Sequence, residues 1–376
     1  MNEDTFVDVT LSVDTLSGAS PNGAVPTGVV QTFTTPSGNI RTTSGNDIPL
    51  DGSFHDRRIA ASGSWEKPVG RLTLMNIGAS VSTEYDYTHT GIDARLAHDF
   101  NGRNTTLSAG IAVANDTVEP IGGVPTGLAF VAGAANPGFG NDGEGVGGAS
   151  SLGKDVTDYL VGLTQVINRK TIMQFNFSVT RENGYLNDPY KLLSVVDGIT
   201  GRPVPNPSAG TGAFLYRYEQ RPDLREKKSA FVLLKRDIGG NVLDLSFRHM
   251  TDDWGITSQT ADMHFRWNLY GHHYLEPHLR FYSQTAADFY RNVLINGAVL
   301  PTFVSADYRL GKFDAITVGV KYGSDAQDSH WSTRFELYHS NGKSDPAASF
   351  GYLAGRNLYP DLTAAIAEVS YSFGRR

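Results

Sequence analysis

The residues best able to do chemistry crowd into one stretch of the chain. His272, His273, Glu276 and His278 lie close together, with His264 and Arg266 just before them. Imidazole and carboxylate are the ligands of a zinc-type site, so a metal centre is the first chemistry to test. In a strand, successive side chains point to opposite faces, which puts His272, Glu276 and His278 on one side and His273 on the other. That trio spans roughly 20 Å along a strand, too far to share an ion. Only Glu276 and His278, joined by a neighbour such as His264 or Arg266, converge. The reading kept is a hydrogen-bonded pair, with no metal and no cofactor assigned. Ser246 and His264 on neighbouring strands raise nucleophile–base catalysis, but they face inward, where a lipid hydrolase would need its site on the outer wall. No catalytic residue is assigned.

The elements that position these groups are strands. Over residues 261–282, Met263, Phe265, Trp267 and Leu269 alternate with Asp262, His264, Arg266 and Asn268. Beyond Tyr270-Gly271-His272-His273, Leu275, Pro277, Leu279 and Phe281 alternate with Glu276, His278, Arg280 and Tyr282. Period two over both arms predicts a hairpin with one apolar wall and one charged wall. Lipid on one side and a wet lumen on the other calls for that division. The predicted lumen-lining residues are Asp244, Arg248, Asp262, His264, Arg266, Glu276, His278, Arg280, Asp307, Arg309, Arg334 and Glu336. They form either a constriction that orients a polar solute or a wall network of paired charges. The wall network is favoured.

Composition narrows the class. The chain has 376 residues, no Cys, 41 Gly, 17 Tyr, 19 Phe and a formal net charge of −7. Mild acidity argues against a nucleic-acid partner. No apolar run reaches the roughly 18–20 residues of a membrane helix, and a negative mean hydropathy is compatible with strands that wet one face. The start, MNEDTFVDVT, has neither a basic nor an apolar leader region, so an export signal is expected to be absent from this chain.

Further strands are predicted at Thr5–Asp14, Arg57–Glu66, Leu72–Tyr85, Ile92–Phe100, Leu107–Val113, Thr157–Ile167, Ile172–Thr180, Ser229–Lys235, Leu243–His249, Val304–Leu310, Ile316–Tyr322, Trp331–Leu337, Ala347–Ala354 and Thr363–Phe373. With the hairpin they make about sixteen, within 14–18. Tight connections are expected at Pro68, Asn101, Asn168, Asp237, Gly271, Gly311 and Asn341, with longer loops at the other end. GFGNDGEGVGG at Gly138–Gly148 lacks the Lys-Ser/Thr of a phosphate loop, and Asp142, Asp188, Asp197, Asp252 and Asp253 show no calcium-loop spacing. Val369, Tyr371 and Phe373 alternate outward in a terminal strand of the kind that barrel-assembly machinery reads.

GASPNGA at Gly18–Ala24, QTFTTPSGN at Gln31–Asn39, GYLNDPYK at Gly184–Lys191 and HYLEPHLRFYSQTAADFY at His273–Tyr290 resemble the hallmarks of a large Gram-negative family, the domain of unknown function numbered thirty-five-seventy. The resemblance spans nearly the whole chain. It implies an exported outer-membrane β-barrel without a settled activity. It also implies a signal peptide and a first hairpin preceding this chain, and a genetic neighbourhood of a thioredoxin-like protein, a flavin transferase and a small lipoprotein.

The fold class expected is all-β: one antiparallel transmembrane β-barrel over residues 1–376, in the bacterial outer membrane, with short periplasmic turns and long extracellular loops. The leading function is a porin-like channel for small polar solutes. The alternative is a loop-plugged barrel serving as a scaffold or docking sleeve for a redox or lipoprotein partner, and an outer-membrane enzyme comes third. Partners expected are outer-membrane lipid and lipopolysaccharide, the barrel-assembly machinery and a periplasmic or lipoprotein partner, with no nucleic acid. The chain lacks a plug-sized N-terminal domain, which argues against an energy-coupled siderophore-type transporter. A soluble β-propeller or surface adhesin is the rival architecture.

Overall fold

The computed structural model describes residues 5–18, 20–34, 40–51, 55–120, 122–131, 149–206, 212–326, 329–342 and 350–373. The alternating segments pair as one 14-stranded antiparallel sheet, each strand bonded to the next along the chain. In order they are β1 (Phe6–Ser17), β2 (His55–Pro68), β3 (Thr73–Thr83), β4 (Tyr87–Phe100), β5 (Thr105–Val118), β6 (Leu152–Asn168), β7 (Thr171–Gly184), β8 (Leu224–Ile238), β9 (Asn241–Asp252), β10 (Thr257–Asn268), β11 (His273–Gln284), β12 (Phe313–Ala326), β13 (Ser329–Gly342) and β14 (Leu362–Phe373). No α-helix occurs among the described residues. The tight turns follow from local chemistry. Between Ile238 and Asn241, Gly239 and Gly240 take φ of 64° and 85°, which a two-residue hairpin turn of the favoured hand requires at both centres.

Burial runs opposite to that of a water-soluble sheet. On β13, Phe335 and Leu337 are 60% and 63% exposed, while Glu336 between them is 8% exposed. Phe175, Phe177, Trp267, Phe281 and Val318 are likewise exposed. Ser82, Ser108, Ser258, His278, Thr317, Ser332 and Ser340, on the opposite face, are buried. These strands show the expected sidedness.

Among the described residues, neither Val304–Leu310 nor the described end of Ala347–Ala354 is a strand. Of Val304–Leu310, only Val304 and Ser305 make isolated bridges, and Tyr308–Leu310 is a 3-10 turn. Ala347–Ala354 lies partly outside the described residues, and its described end contains the 3-10 turn Gly351–Leu353. Among the described residues the large sheet therefore has fourteen strands, the lower bound of the expected 14–18. Asp307 caps the first of these turns by accepting the Arg309 N–H, and a strand has no use for such a cap. Removing both strands also corrects the turns. Gly311 and Asn341 are not tight connections, and the short link on that side joins Ala326 to Ser329.

The apolar core sits in the connections. The segments after β1, β5, β7, β11 and β13 all leave the same end of the sheet and pack into a cap. Leu193, Val195, Leu294, Val304 and Ala306 form one cluster. Trp254, Ile256, Ala287, Phe289, Tyr290 and Leu310 form a second. Val25, Val196, Leu353 and Leu358 form a third. That last cluster joins the connection after β1 to the connection before β14. Fourteen strands laid flat would be about 60 Å wide, so the sheet curls until the loops from its two margins touch.

Three short strands, Leu192–Val196, Tyr216–Tyr218 and Val293–Ile295, make a small sheet inside the cap. The motifs GASPNGA and GYLNDPYK meet there. Leu192 donates its N–H to Asn22 O at 2.8 Å, and Lys191 Nζ donates to Pro21 O at 2.6 Å. Gly23, at φ 92°, brings the backbone so near that a Cβ would stand 2.4 Å from Leu192 O.

Candidate functional site on the polar face

Register decides which inward groups meet. Asp244 stands opposite His264, His264 opposite His278, His278 opposite Gly319, and Gly319 opposite Glu336. Gly319 leaves a gap in this row. Across it His278 Nδ1 lies 2.7 Å from Glu336 Oε1. A Cβ at Gly319 would stand 2.5 Å from Glu336 Cγ. The other ring nitrogen of His278 is 3.2 Å from Asp262 Oδ2. His264 stacks on His278 with centroids 4.1 Å apart; its Nε2 is 3.1 Å from Asp262 Oδ1 and its Nδ1 3.4 Å from Glu276 Oε1.

Cations flank this cluster. Arg280 Nε is 4.0 Å from Asp262, and Arg334 Nη1 is 3.7 Å from Glu336 while pairing also with Glu368. Lys235 lies 3.1 Å from Asp244. Arg266 pairs with Asp325 and lies 3.8 Å above the Tyr274 ring, and Arg248 rests on Phe231 at 5.6 Å. Seven of the twelve expected residues thus form one network: Asp262, His264, Glu276, His278, Arg280, Arg334 and Glu336. Asp244, Arg248 and Arg266 have separate partners on the same face. Asp307 and Arg309 are the correction: they belong to the cap, because their segment is a turn and not a strand. Lys235, Asp325 and Glu368 went unread because pairing partners depend on register, which alternation alone does not fix.

A second polar row escaped the sequence reading. Ser80 Oγ is 3.0 Å from His89 Nε2, and His89 Nδ1 is 2.7 Å from Asp116 Oδ1. Asp116 also accepts from Tyr87 and, at 3.1 Å, pairs with Lys154. The order Ser–His–Asp is that of an acyl-transfer triad. An oxyanion would need free N–H donors beside the serine. Here Ser80 lies mid-strand, paired with Ser62 on one side and Gly91 on the other, so the ladder engages the surrounding backbone. The row serves to hold β3, β4, β5 and β6 together on their inner side. The pieces come from four strands, so no local motif announces them.

The cap holds its own charged knot. Arg221 Nη2 donates to Asp307 Oδ2 at 2.8 Å and to Glu219 Oε2 at 3.1 Å. Arg309 Nε donates to Asp307 at 2.9 Å, and Arg309 also pairs with Asp188. Ser305 Oγ donates to Glu219. Burial pushes the Glu219 carboxyl up to about 7, with Asp188 and Asp307 adding to the rise against the pull of Arg221. The Asp307 carboxyl is held well below its usual range: burial opposes this, but the Arg309 hydrogen bond and the nearby guanidinium charges prevail.

The sign for Glu219 follows from linkage. A raised folded-state value means the folded cap binds the proton more tightly. Its stabilisation is full below the ordinary value of 4.5 and is lost as pH rises to about 7, worth roughly 3 kcal/mol. Asp307 acts only at much lower pH. Protection of the Lys191–Val196 amides, taken relative to the intrinsic exchange rate at each pH, should therefore be lower at pH 8 than at pH 5.5, and Glu219→Gln should flatten that difference. Equal protection in the unsubstituted chain at both pH values would contradict this.

The family model described as "Protein of unknown function (DUF3570)" matches residues 1–373. The chain belongs to this family. A comparison with curated protein sequences returns no match. Among solved structures, a ferric enterobactin receptor variant from Pseudomonas aeruginosa in complex with enterobactin is similar to this DUF3570 chain at a TM-score of 0.50 and 10% identity, covering 98% of this chain and 55% of that one. CdiB from Acinetobacter baumannii aligns at 0.44 and 9% identity, over 97% of this chain and 59% of that one. The copper transporter OprC aligns at 0.43 and 9%, over 100% and 55%. The DUF3570 chain thus spans little more than half the length of these structures. The likeness is one of fold, and such neighbours are outer-membrane β-barrels.

Proposed function

We propose that this chain forms an outer-membrane β-barrel that conducts small polar solutes through a charged lumen narrowed at one mouth by the folded cap. The observation that carries this reading is the inversion of burial along strands inside the sheet such as β7 and β13, with apolar side chains exposed and polar ones turned away; the margin strands β1 and β14 are largely exposed on both faces. A lipid-facing wall needs that pattern, and strands of this length exceed the roughly 9–11 residues that cross a bilayer at a tilt. Solvent reaches the inner charges: the side chains of Arg280 and Lys235 are 49% and 52% exposed. That leaves room beside them for water and a solute. The proposed partners are outer-membrane lipid and lipopolysaccharide, and the machinery that inserts barrels.

A second reading rests on the cap having three hydrophobic clusters of its own. A connection folded that well suits a docking sleeve for a periplasmic or lipoprotein partner. Planar-bilayer recording separates the two. Steady current from the purified chain, with its cation-to-anion preference altered by Arg280→Glu, is the result expected of a conduit. Silence at all voltages, persisting after the cap is loosened, favours the sleeve.

A further inference from the structure

Asp262, His264 and His278 each offer a ligand atom, and these atoms all lie within 4.8 Å of one another. Each imidazole touches two carboxylates. His278 meets Glu336 through Nδ1 and Asp262 through Nε2; His264 meets Glu276 through Nδ1 and Asp262 through Nε2. A neutral imidazole has one N–H and one lone pair. With both rings neutral, each therefore aims a lone pair at a carboxylate oxygen, which is repulsive. Protonating both rings satisfies all four contacts but stacks two cations 4.1 Å apart.

A single divalent cation resolves both difficulties. Held by the two Nε2 atoms and the Asp262 carboxylate, it replaces two protons and leaves each Nδ1–H pointing at a glutamate. That outer arrangement is the one that fixes the tautomer and orientation of metal-bound histidine. We propose that Asp262, His264 and His278 form a binding site for a divalent first-row transition ion such as Zn²⁺ or Cu²⁺, with Glu276 and Glu336 as positioning residues. Nitrogen, nitrogen and carboxylate make a borderline donor set suited to those ions and poor for Mg²⁺ or Ca²⁺.

Two nitrogens on a tetrahedral zinc are about 3.3 Å apart, given bonds of about 2.0–2.1 Å. The stacked rings reach that spacing by splaying about their Cβ–Cγ bonds. One further oxygen nearby is left without a donor, although its carboxylate pairs with Lys235 through Oδ2. Asp244 Oδ1, on the strand beside His264, is buried without a hydrogen-bond partner among the described residues. Gly319 gives the site its room, since any side chain there would push Glu336 out of reach of His278.

The test uses the full chain folded in detergent, with Cu²⁺ and then Co²⁺ as the probes. One Cu²⁺ per chain should bind, with superhyperfine structure from two imidazole nitrogens in its electron paramagnetic resonance spectrum. Co²⁺ should bind with the same stoichiometry and be displaced by Zn²⁺. His264→Gln with His278→Gln should weaken binding at least a hundredfold, and Glu336→Gln about 10–100-fold. His330→Gln, outside the site, should change nothing. Sub-stoichiometric uptake by the unsubstituted chain overturns the proposal, as does any nitrogen count other than two. Equal binding by the double variant would overturn it too. The spectrum of the unsubstituted chain decides the matter even where a variant does not fold.

Discussion

Replacing Arg221 with alanine is expected to unfasten the cap at a cost of about 3–5 kcal/mol, the range for removing one partner of a buried ion pair. Arg221 is the cation between Glu219 and Asp307, whose side chains are each only 1% exposed. Without it, two carboxylates remain in an apolar layer with only Arg309, Lys191 and local donors to oppose them. Neutralising Glu219 relieves part of that cost, so Arg221→Ala combined with Glu219→Gln should recover part of the loss. Limited proteolysis reads this directly: cleavage within residues 185–223 should accelerate many-fold while the strands stay protected. Unchanged cleavage would mean that the knot contributes nothing to holding the loops. In bilayers the same variant should raise conductance if the cap is what narrows the mouth.

A positive charge at Phe177 should cost far more than the same charge one residue earlier. Phe177 lies mid-strand on β7 and is 50% exposed. Asn176, on the opposite face, stands across from Phe231 and Gly162. An outward Arg or Lys near the bilayer midplane costs about 2–4 kcal/mol, while lumen positions tolerate charge. Phe177→Arg should therefore depress the yield of the heat-modifiable folded form in lipid vesicles, and Asn176→Arg should leave it near normal. The opposite ranking would place water where lipid is assigned. In a water-soluble fold, by contrast, a charge on an exposed Phe would be harmless, which makes this pair of variants decisive.

The wall was legible in the sequence because a barrel strand repeats a simple rule that each residue obeys alone. Phe175, Phe177, Trp267 and Phe281 fall outward whatever their partners do. The cap was not legible in that way. Val304, Ala306 and Leu310 alternate well enough to read as a strand, yet they are anchored in clusters with Leu193 and Val195 from another connection and with Tyr290 from earlier in their own. The turn cap at Asp307 and Arg309 was the local signal that a strand was wrong there. The His–Asp–Glu cluster was half legible: alternation put the right groups on one face. Convergence needed the register that sets His264 against His278 and the missing side chain at Gly319. The chain Ser80–His89–Asp116 was invisible for the same reason, since cross-strand neighbours are strangers in sequence.

The division of apolar residues between wall and connections gives the two halves different thermal habits. Greasy groups in the loops are held together by their exclusion from water, a driving force that fades on cooling. The strands are held by backbone hydrogen bonds in a medium that supplies no replacement for them, so chilling does not loosen them in the same way. In the proposed conduit, cooling would therefore relax the cap before the strands, and passage would ease at the temperatures where diffusion is slowest.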